Sequence, residues 1–470
     1  MEKNNVGVSN EALVYTTGQT LKAKKLPQFI ASFAVSVGAI AAGLMISWTS
    51  QTGEDGIKLS ETYKFPITPE EFSWVGSLAP LGAAVSCVPI GTLSDMIGRK
   101  NAMLLLVIPF TIGWLFIIFA NSVIYFYIGR FLTGFSGGAF CVTGPMYTSE
   151  ISESKIRGSL GTFYQLFLCI GMLILYVSSR ALNIFEISIL AGVAPLLFGI
   201  VFFFMPETPT YYLMKENETA ARESFKRLRG SQYNIEPELS LLKESIEEIK
   251  RNNVSFRTAI RTKACKKAIL ISYGLMTIQQ LSGVNAIAIY IGSIFEKAGG
   301  SVTGNEASIM IGVIGIIMVI TGSMIVDRRG RKILLIVSIV GTSISNFLFG
   351  IHFYFIEEMD ITDVGWLPLL SVLLFIFSFG IALGPLPWMM ISEFFAPEIK
   401  GIAGSSACLL NWILAFIVTK TFVNLNNVLH TYGTFWLYAI ICAVGIPFII
   451  FVVPETKGKS LEQIQRELNA

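Results

Sequence analysis

Long apolar runs recur along this sequence, and they restrict what the chain can fold into more than any other feature. A helix needs about 20 mostly apolar residues to cross a bilayer. We predict twelve such spans, at 29–49, 74–93, 102–120, 123–147, 159–179, 187–205, 268–292, 307–326, 333–355, 365–391, 402–422 and 433–453. Only 14% of the 470 residues are charged, whereas a soluble chain usually carries about 25%. The sequence therefore predicts an all-α membrane protein.

The distribution of Lys and Arg predicts which side of the membrane each connection faces. Basic residues gather in every second connection, at 99–100, 155–157, 215–267, 328–332 and 400. Because basic loops stay on the cytoplasmic side, we expect both termini and the long central loop in the cytoplasm. The predicted division is a tail at 1–28, a six-helix bundle at 29–205, a helical linker at 206–267, a second six-helix bundle at 268–453 and a tail at 454–470.

The central linker contains two stretches with an amphipathic helical pattern, at 218–229 and 236–251. Leu239, Leu242, Ile246 and Ile249 recur at helical spacing among charges of both signs. This pattern favours a cytoplasmic helical bundle that latches the two halves together. A solvated linker with only nascent helices is the alternative.

The two predicted halves carry the same markers at corresponding span ends. Asp95 with Arg99 and Asp327 with Arg331 are each four residues apart, whereas Glu150 with Arg157 and Glu393 with Lys400 are each seven apart. Both halves end in Pro-Glu-Thr, at 206–208 and 454–456. Such repeats are typical of transporters built from two pseudo-symmetric bundles around a site near the membrane midplane. We expect these charges to form a network between the bundles that closes the cytoplasmic side; the alternative is ordinary charges that set topology.

Several segments together resemble the sugar-porter family of the major facilitator superfamily over essentially the whole chain. They are 95–100 and 327–332, Gly129-Arg130, residues 279–285 and 384–388, and the two Pro-Glu-Thr ends. The sequence around Asn411-Trp412 and at 419–422 is most similar to that of insect facilitated trehalose transporters. The resemblance implies a major facilitator fold and a sugar as the cargo. It also implies that Tyr290 lies in an outer gate, although Ile291 stands where the family usually has a second Tyr.

Polar amides inside the seventh span are the first candidates for binding a sugar. A sugar offers hydroxyl groups without formal charge, and amide side chains both donate and accept hydrogen bonds. Gln279, Gln280 and Asn285 lie within seven residues of one another, but a straight helix would not point all three at one place. A break at Ser282-Gly283 would reconcile them. The alternative is that the amides only join helices, as is common in membranes.

The remaining binding candidates come from the tenth span and from the resemblance. Trp388 follows Gly384, Pro385 and Pro387, a segment that proline is expected to unwind. We expect its indole to cover one face of a sugar ring; the alternative is an interfacial anchor. Gln165 and Asn411 match sugar-binding positions of the family, so the resemblance implies that they bind the sugar as well.

The first span, 29–49, contains no Asp, Glu or His. A proton-coupled carrier normally needs a titratable group inside the membrane, so its absence favours facilitated diffusion, or uniport. Arg130 is the main charge within the first half, and we expect it to pair with an acid such as Glu150. A proton-coupled carrier of a sugar or polyol stays an alternative.

Other classes of function fit the sequence less well. A non-transporting sugar receptor on the same scaffold is an alternative, although such sensors commonly carry longer cytoplasmic tails than residues 454–470. The two histidines, His352 and His430, form no catalytic or metal-binding set. We therefore expect no enzyme activity, no cofactor, no metal and no nucleic-acid partner. The expected partners are a small sugar and the lipid bilayer, with the chain acting as a monomer in the plasma membrane.

Overall fold

A computed structural model describes residues 23–53, 56–251, 262–298, 303–361, 364–395, 397–457, 459 and 461–469. Every regular element within these residues is helical, as predicted. The first half contains α1 (Leu26–Trp48), α2 (Ile57–Tyr63), α3 (Pro69–Ile97), α4 (Arg99–Ile118), α5 (Val123–Ile151), α6 (Ser154–Ser178) and α7 (Ile184–Phe203). The linker contains α8 (Pro209–Met214), α9 (Glu218–Arg229) and α10 (Glu236–Arg251). The second half contains α11 (Lys263–Leu281), α12 (Val284–Ala298), α13 (Gly304–Arg329), α14 (Arg331–Met359), α15 (Leu367–Ser378), α16 (Leu386–Phe394) and α17 (Pro397–Phe451), and α18 (Leu461–Asn469) follows it.

The helices account for twelve membrane crossings. Ten helical stretches of the described chain are long and apolar enough to cross a bilayer. One of them, Ile402–Phe451, has 50 residues, about 75 Å of helix against a hydrocarbon core of about 30 Å. His430 breaks it with φ 60° and ψ 168°, so it makes two crossings. Helix α5 is less apolar because of its Arg130, glycines and hydroxyl residues, but it spans 29 residues and packs among α1, α3 and α4.

Most helices extend a few residues beyond the predicted apolar spans, because polar caps continue the helix past the hydrocarbon. Helix α3 begins at Pro69 rather than near 74, since the Thr68 side chain and Glu71 form a reciprocal capping box. Two predicted crossings are interrupted. The seventh divides into α11 and α12 around Gly283, which has φ +85°. The tenth divides into α15 and α16 around a π-helical turn, Phe379–Leu383, that precedes Gly384 and Pro385. Both interruptions were predicted from Gly and Pro.

The two bundles meet along α3 with α17 and along α6 with α13. The linker helices lie at one face of the molecule, which we call the linker side; the opposite face is the outer side. The amphipathic pattern of α9 and α10 is confirmed, and both helices have the predicted bounds. Phe225, Ile235 and Leu239 form their own small core. Helices α8 and α9 contact the first bundle, and Arg229 of α9 donates to the Ile151 carbonyl at 2.7 Å.

Candidate functional site

Four of the six predicted binding residues form one hydrogen-bonded group, which we call the amide cluster: Gln279, Gln280, Asn285 and Asn411. The Gln280 Nε2 donates to Asn411 Oδ1 at 2.8 Å, and Asn411 Nδ2 donates to Gln279 Oε1 at 2.7 Å. Asn285 donates to Gln280 Oε1. The cluster therefore joins the broken seventh crossing to the eleventh, at α17.

The break between α11 and α12 places these amides together. Gly283 adopts a left-handed conformation that favours glycine. A Cβ atom at this position would lie 2.5 Å from the Tyr438 ring, so any other residue would also clash. The chain thus turns at Gly283, and Asn285 on α12 reaches back to Gln280 on α11.

Gln279 also connects the cluster to the interrupted tenth crossing. Its Nε2 donates to the backbone carbonyls of Leu383 at 2.8 Å and Gly384 at 2.7 Å. These carbonyls belong to the segment in which the regular α-helical pattern is lost. Gln279 therefore holds helices together, whereas half-buried Asn285 lies at the edge of the cluster.

The structure does not bring Gln165 or Trp388 into contact with the amide cluster. Gln165 is exposed on α6, and its nearest hydrogen-bonding partner is Cys169 Sγ at 3.9 Å. Trp388 is 41% exposed on α16 and donates no hydrogen bond within the described part of the chain. Its segment is linked to the cluster by the hydrogen bond from Gln279 to the carbonyl of Gly384.

The outer side of the molecule is closed around Tyr290. The Tyr290 ring stacks on Phe422, with centroids 5.1 Å apart, and meets the edge of Phe72 at 6.0 Å. The Tyr290 hydroxyl donates to the Thr419 carbonyl at 3.2 Å. Phe72 belongs to the first bundle, so this closure joins both bundles even though Ile291 replaces the second Tyr. Sequence reasoning missed Phe72 and Phe422, because residues so far apart along the chain show no shared pattern.

Further hydrogen bonds between the bundles gather at the same outer end. Gln51 donates to Ser308 at 3.3 Å, and Ser293 donates to the Gly53 carbonyl at 3.2 Å. Lys420 of α17 donates to Ser73 of α3 at 2.6 Å. These contacts show that the molecule is in an outward-closed conformation.

In this outward-closed conformation the described charges on the linker side pair within each bundle, whereas the network between the bundles was predicted for the conformation in which this side is closed. Arg99 contacts Asp95 at 2.8 Å and Glu150 at 3.0 Å, all in the first bundle. Arg331 contacts Glu393 at 3.4 Å, both in the second. The side chains of Asp327 and Lys400 lie outside the described residues.

Arg157, another member of the predicted charge network, does not contact Glu150 in the described structure. Its guanidinium contacts the Ser152 carbonyl at 3.4 Å, in the same turn between α5 and α6. The Glu150 carboxylate is instead occupied by Arg99 and by the hydroxyl of Thr208 at 2.6 Å. The seven-residue spacing shared by the halves therefore does not correspond to a contact between Glu150 and Arg157.

The expectation that Arg130 pairs with Glu150 was wrong. The twenty residues between them on α5 correspond to about 30 Å, so the two side chains lie at opposite ends of the helix. Arg130 is fully buried and donates to the carbonyls of Val75 at 3.1 Å and Met45 at 2.9 Å. Its guanidinium also lies 5.5 Å from the Trp48 ring. Arg130 therefore ties α1 and α3 to α5 inside the first bundle.

The two Pro-Glu-Thr glutamates have a role that the sequence reasoning missed. Glu207 accepts from the backbone N–H of Lys100 at 2.9 Å, and Glu455 accepts from those of Arg331 at 2.9 Å and Lys332 at 3.1 Å. Each carboxylate thus caps the N-terminus of a helix, α4 or α14, that begins after a Gly with positive φ. The repeated Pro-Glu-Thr sequence was the signal from which both glutamates could have been identified.

The two caps differ in electrostatics. Burial raises the pKa of Glu207 above its ordinary value, against the opposing hydrogen bonds from Thr208 and Lys100. Burial alone would also raise the pKa of Glu455, but hydrogen bonds from four backbone N–H groups lower it overall. Glu455, the more exposed of the two caps, therefore stays ionised to a lower pH than Glu207 does.

This architecture has solved counterparts. The xylose transporter XylE from E. coli, in a partially occluded inward open conformation, superposes with a TM-score of 0.78 at 21% identity, covering 92% of this chain and 99% of that one. Two pseudo-symmetric six-helix bundles with interrupted seventh and tenth crossings, arranged in this way, define a membrane protein of the major facilitator fold.

The sequence comparisons identify the family. A family model described as "Sugar (and other) transporter" matches residues 13–468, so the chain belongs to this family. The facilitated trehalose transporter Tret1 of Bombyx mori is 38% identical over 444 residues, which cover 94% of this chain and 87% of that protein. Tret1 of Aedes aegypti is 37% identical over 443 residues; the alignment covers 94% of this chain and 55% of that protein. The chain is thus a sugar-family transporter and not an enzyme.

Proposed function

We propose that this protein carries a neutral sugar, trehalose or a hexose such as glucose, by facilitated diffusion down the gradient of the sugar itself. The observation that carries this proposal is the amide cluster: it offers donors and acceptors without a formal charge, as a polyhydroxylated neutral cargo requires. The name of the relatives, facilitated trehalose transporter, supports trehalose as the first cargo to test.

The distribution of charge supports uniport over proton coupling. Among the described residues, the buried charged side chains are Arg99, Arg130, Glu207 and Arg229. The single carboxylate in this set, Glu207, caps a helix at the linker side rather than lining the interior. His352 is also buried, toward the outer end of α14 and outside the amide cluster. Since proton coupling needs a titratable group within the membrane, an amide cluster without a carboxylate or an imidazole favours transport that ignores the proton gradient.

We propose that the bundles alternate between two conformations around the amide cluster. In the outward-closed conformation the sugar would exchange with the linker side, where Gln165 and Trp388 are exposed. Binding would draw these two side chains toward Gln280, Asn285 and Asn411 as the bundles close. Tyr290 would open the outer side in the next step, while Arg99 and Arg331 with their carboxylates keep each bundle rigid.

The same proposal includes the domain bounds, the orientation in the membrane and the oligomeric state. The bundles would comprise 29–205 and 268–453, joined by the linker 206–267, with tails at 1–28 and 454–470. The basic linker side would face the cytoplasm, together with both termini. We propose the plasma membrane as the location. We also propose a monomer as the functional unit, because one chain supplies both bundles and the whole amide cluster.

Uptake of radiolabelled trehalose and glucose tests the proposed function directly. Cells that express the chain would be assayed at two external pH values, with and without a protonophore, against cells that express the Gln280→Ala variant. Saturable uptake that is insensitive to the protonophore is the expected result. Uptake abolished by the protonophore would establish the proton-coupled alternative. No uptake of either sugar by surface-localised protein would favour the receptor or a polyol carrier.

A further inference from the structure

Lys420 is the single charged residue in the predicted span 402–422. A charge placed within a transmembrane segment is costly and generally has a function. In the described part of the chain, no carboxylate lies within salt-bridge distance of Lys420. The site described above does not use this lysine, so its position needs a separate explanation.

The Lys420 ammonium reaches across the boundary between the bundles. Its Nζ donates to Ser73 Oγ at 2.6 Å and lies 4.5 Å from the centroid of the Trp74 ring. The Trp74 ring also lies 6.2 Å from Phe416, one turn before Lys420 on α17. Ser73 and Trp74 are in the outer part of α3, in the first bundle, whereas Lys420 and Phe416 are in the second.

Two different interactions hold the ammonium there. The hydroxyl of Ser73 accepts one of its hydrogen bonds, and the electron-rich face of the indole attracts the cation. Trp is the strongest aromatic partner for such a contact, and removal from water strengthens it. Ser73 and Trp74 therefore give the half-buried ammonium of Lys420 its partners in place of a carboxylate.

We propose that Lys420, Ser73 and Trp74 form an outer latch that stabilises the outward-closed conformation and sets how readily the carrier opens outward. The latch rests on the proposed alternating-access function, in which α3 and α17 separate at their outer ends. That separation must break both contacts of the ammonium, whereas the amide cluster lies deeper and within one bundle. Lys420 is thus a positioning residue for the conformational step and not a sugar ligand.

The size of the expected effect follows from the contact. A cation–π contact between partly desolvated groups corresponds to a shift of between about 2-fold and 30-fold in a two-state equilibrium. Removing the charge should therefore increase the population of the outward-open conformation by about tenfold. Arginine stacks on indole at least as well as lysine does, so Lys420→Arg should preserve the latch.

A reporter cysteine beneath the latch measures outward opening without relying on transport. Ser77 is fully buried one helical turn below Ser73 on the same face of α3, and Ser77→Cys is nearly isosteric. Intact cells with this substitution would be treated with a membrane-impermeant maleimide, and labelling would be compared with the same protein lacking the reporter. We expect Lys420→Met and Trp74→Leu each to accelerate labelling about tenfold, and Lys420→Arg to label as slowly as the parent.

The double variant Lys420→Met with Trp74→Leu provides the coupling test. Because Lys420→Met already removes the contact with Trp74, the double variant should label no faster than Lys420→Met alone. Parent-like labelling in both single variants, or additive effects in the double variant, would overturn the latch. The two single variants lie in different bundles, so a failure of one to reach the surface leaves the other informative. Labelling needs no sugar, so absent sugar uptake alongside accelerated labelling would refute the proposed cargo but not the latch.

Discussion

The Gln280 side chain donates a 2.8 Å hydrogen bond to the side-chain oxygen of Asn411, Oδ1, and thereby joins the seventh crossing to the eleventh. Both side chains are nearly buried. Each also contacts another amide, since Asn285 donates to Gln280 and Asn411 donates to Gln279. In the proposed function, the members of this cluster would exchange hydrogen-bonding partners when a sugar hydroxyl group enters.

Asn411→Ala tests whether the cluster binds the sugar. The substitution leaves Gln279 and Gln280 without their partner, and an unsatisfied buried polar group costs about 1–3 kcal/mol. We expect KM for uptake to rise about tenfold, with a smaller change in maximal rate. Ser343→Ala is the matched control, because Ser343 donates to the Ala439 carbonyl at 2.9 Å elsewhere in the same bundle. An equal rise in KM for both variants would contradict a specific binding role.

Gly283→Ala tests the break that assembles the cluster. The left-handed conformation costs a non-glycine residue about 1–2 kcal/mol, and the new Cβ would lie 2.5 Å from the Tyr438 ring. We expect a clear fall in Tm of the solubilised protein together with a loss of transport. Gly158→Ala is the control: this helical glycine on α6 has no other atom within 4 Å of a Cβ, so its Tm should stay equal or rise. A parent-like Tm for Gly283→Ala would show that the break is not required.

The sequence predicted local features well and long-range partners poorly, for a physical reason. Glycine permits the left-handed backbone found at Gly283, and proline at 385 removes a backbone donor, so both helix interruptions were predictable from a few residues. Arg130 instead satisfies its guanidinium with the carbonyls of Val75 and Met45. Every residue carries a carbonyl, so such partners leave no mark in the sequence, and a search for a carboxylate led to Glu150.

The outer closure was hidden from sequence reasoning in the same way. Lys420 and Ser73 are 347 residues apart, and no periodicity or spacing connects them. A lone lysine inside an apolar span was the available signal, since a charge at that depth must find a partner. The identity of the partner, an indole and a hydroxyl rather than an acid, required the three-dimensional structure.

Cys87 on α3 and Cys408 on α17 provide a test of how the bundles move. Their Sγ atoms are 3.2 Å apart across the boundary between the bundles, and both thiols are free. Copper-phenanthroline with oxygen should remove two protons and two electrons and form a disulfide, detectable as a cross-linked peptide by mass spectrometry. Because the link restricts the rotation of α3 against α17, we expect uptake to fall several-fold and a reducing agent to restore it. Loss of uptake that persists in Cys87→Ser would assign the effect to another site.

The caps formed by Glu207 and Glu455 predict opposite responses to acid. The folded protein lowers the pKa of Glu455, so the ionised carboxylate contributes stability above its unfolded pKa of about 4.5. That contribution is lost as the pH falls through the lower, folded pKa. Burial raises the pKa of Glu207, so the folded state binds this proton more tightly, and stability from this group rises as the pH falls toward its unfolded pKa.

Glu455→Gln and Glu207→Gln separate these two contributions. Each variant keeps one carbonyl acceptor for the helix N-terminus but loses the charge, which should cost about 1 kcal/mol for Glu455 at neutral pH. In thermal unfolding between pH 3 and pH 8, the parent should keep its stability advantage over Glu455→Gln down to the unfolded pKa and lose it as the pH falls further. As the pH falls over the same range, the stability of the parent should rise relative to that of Glu207→Gln, because protonation of Glu207 removes a buried charge. Glu467→Gln is the control, because Glu467 of α18 forms an exposed ion pair with Lys459, and it should show neither trend. If the Tm of both cap variants depended on pH in the same way, the predicted difference between the two carboxylates would be wrong.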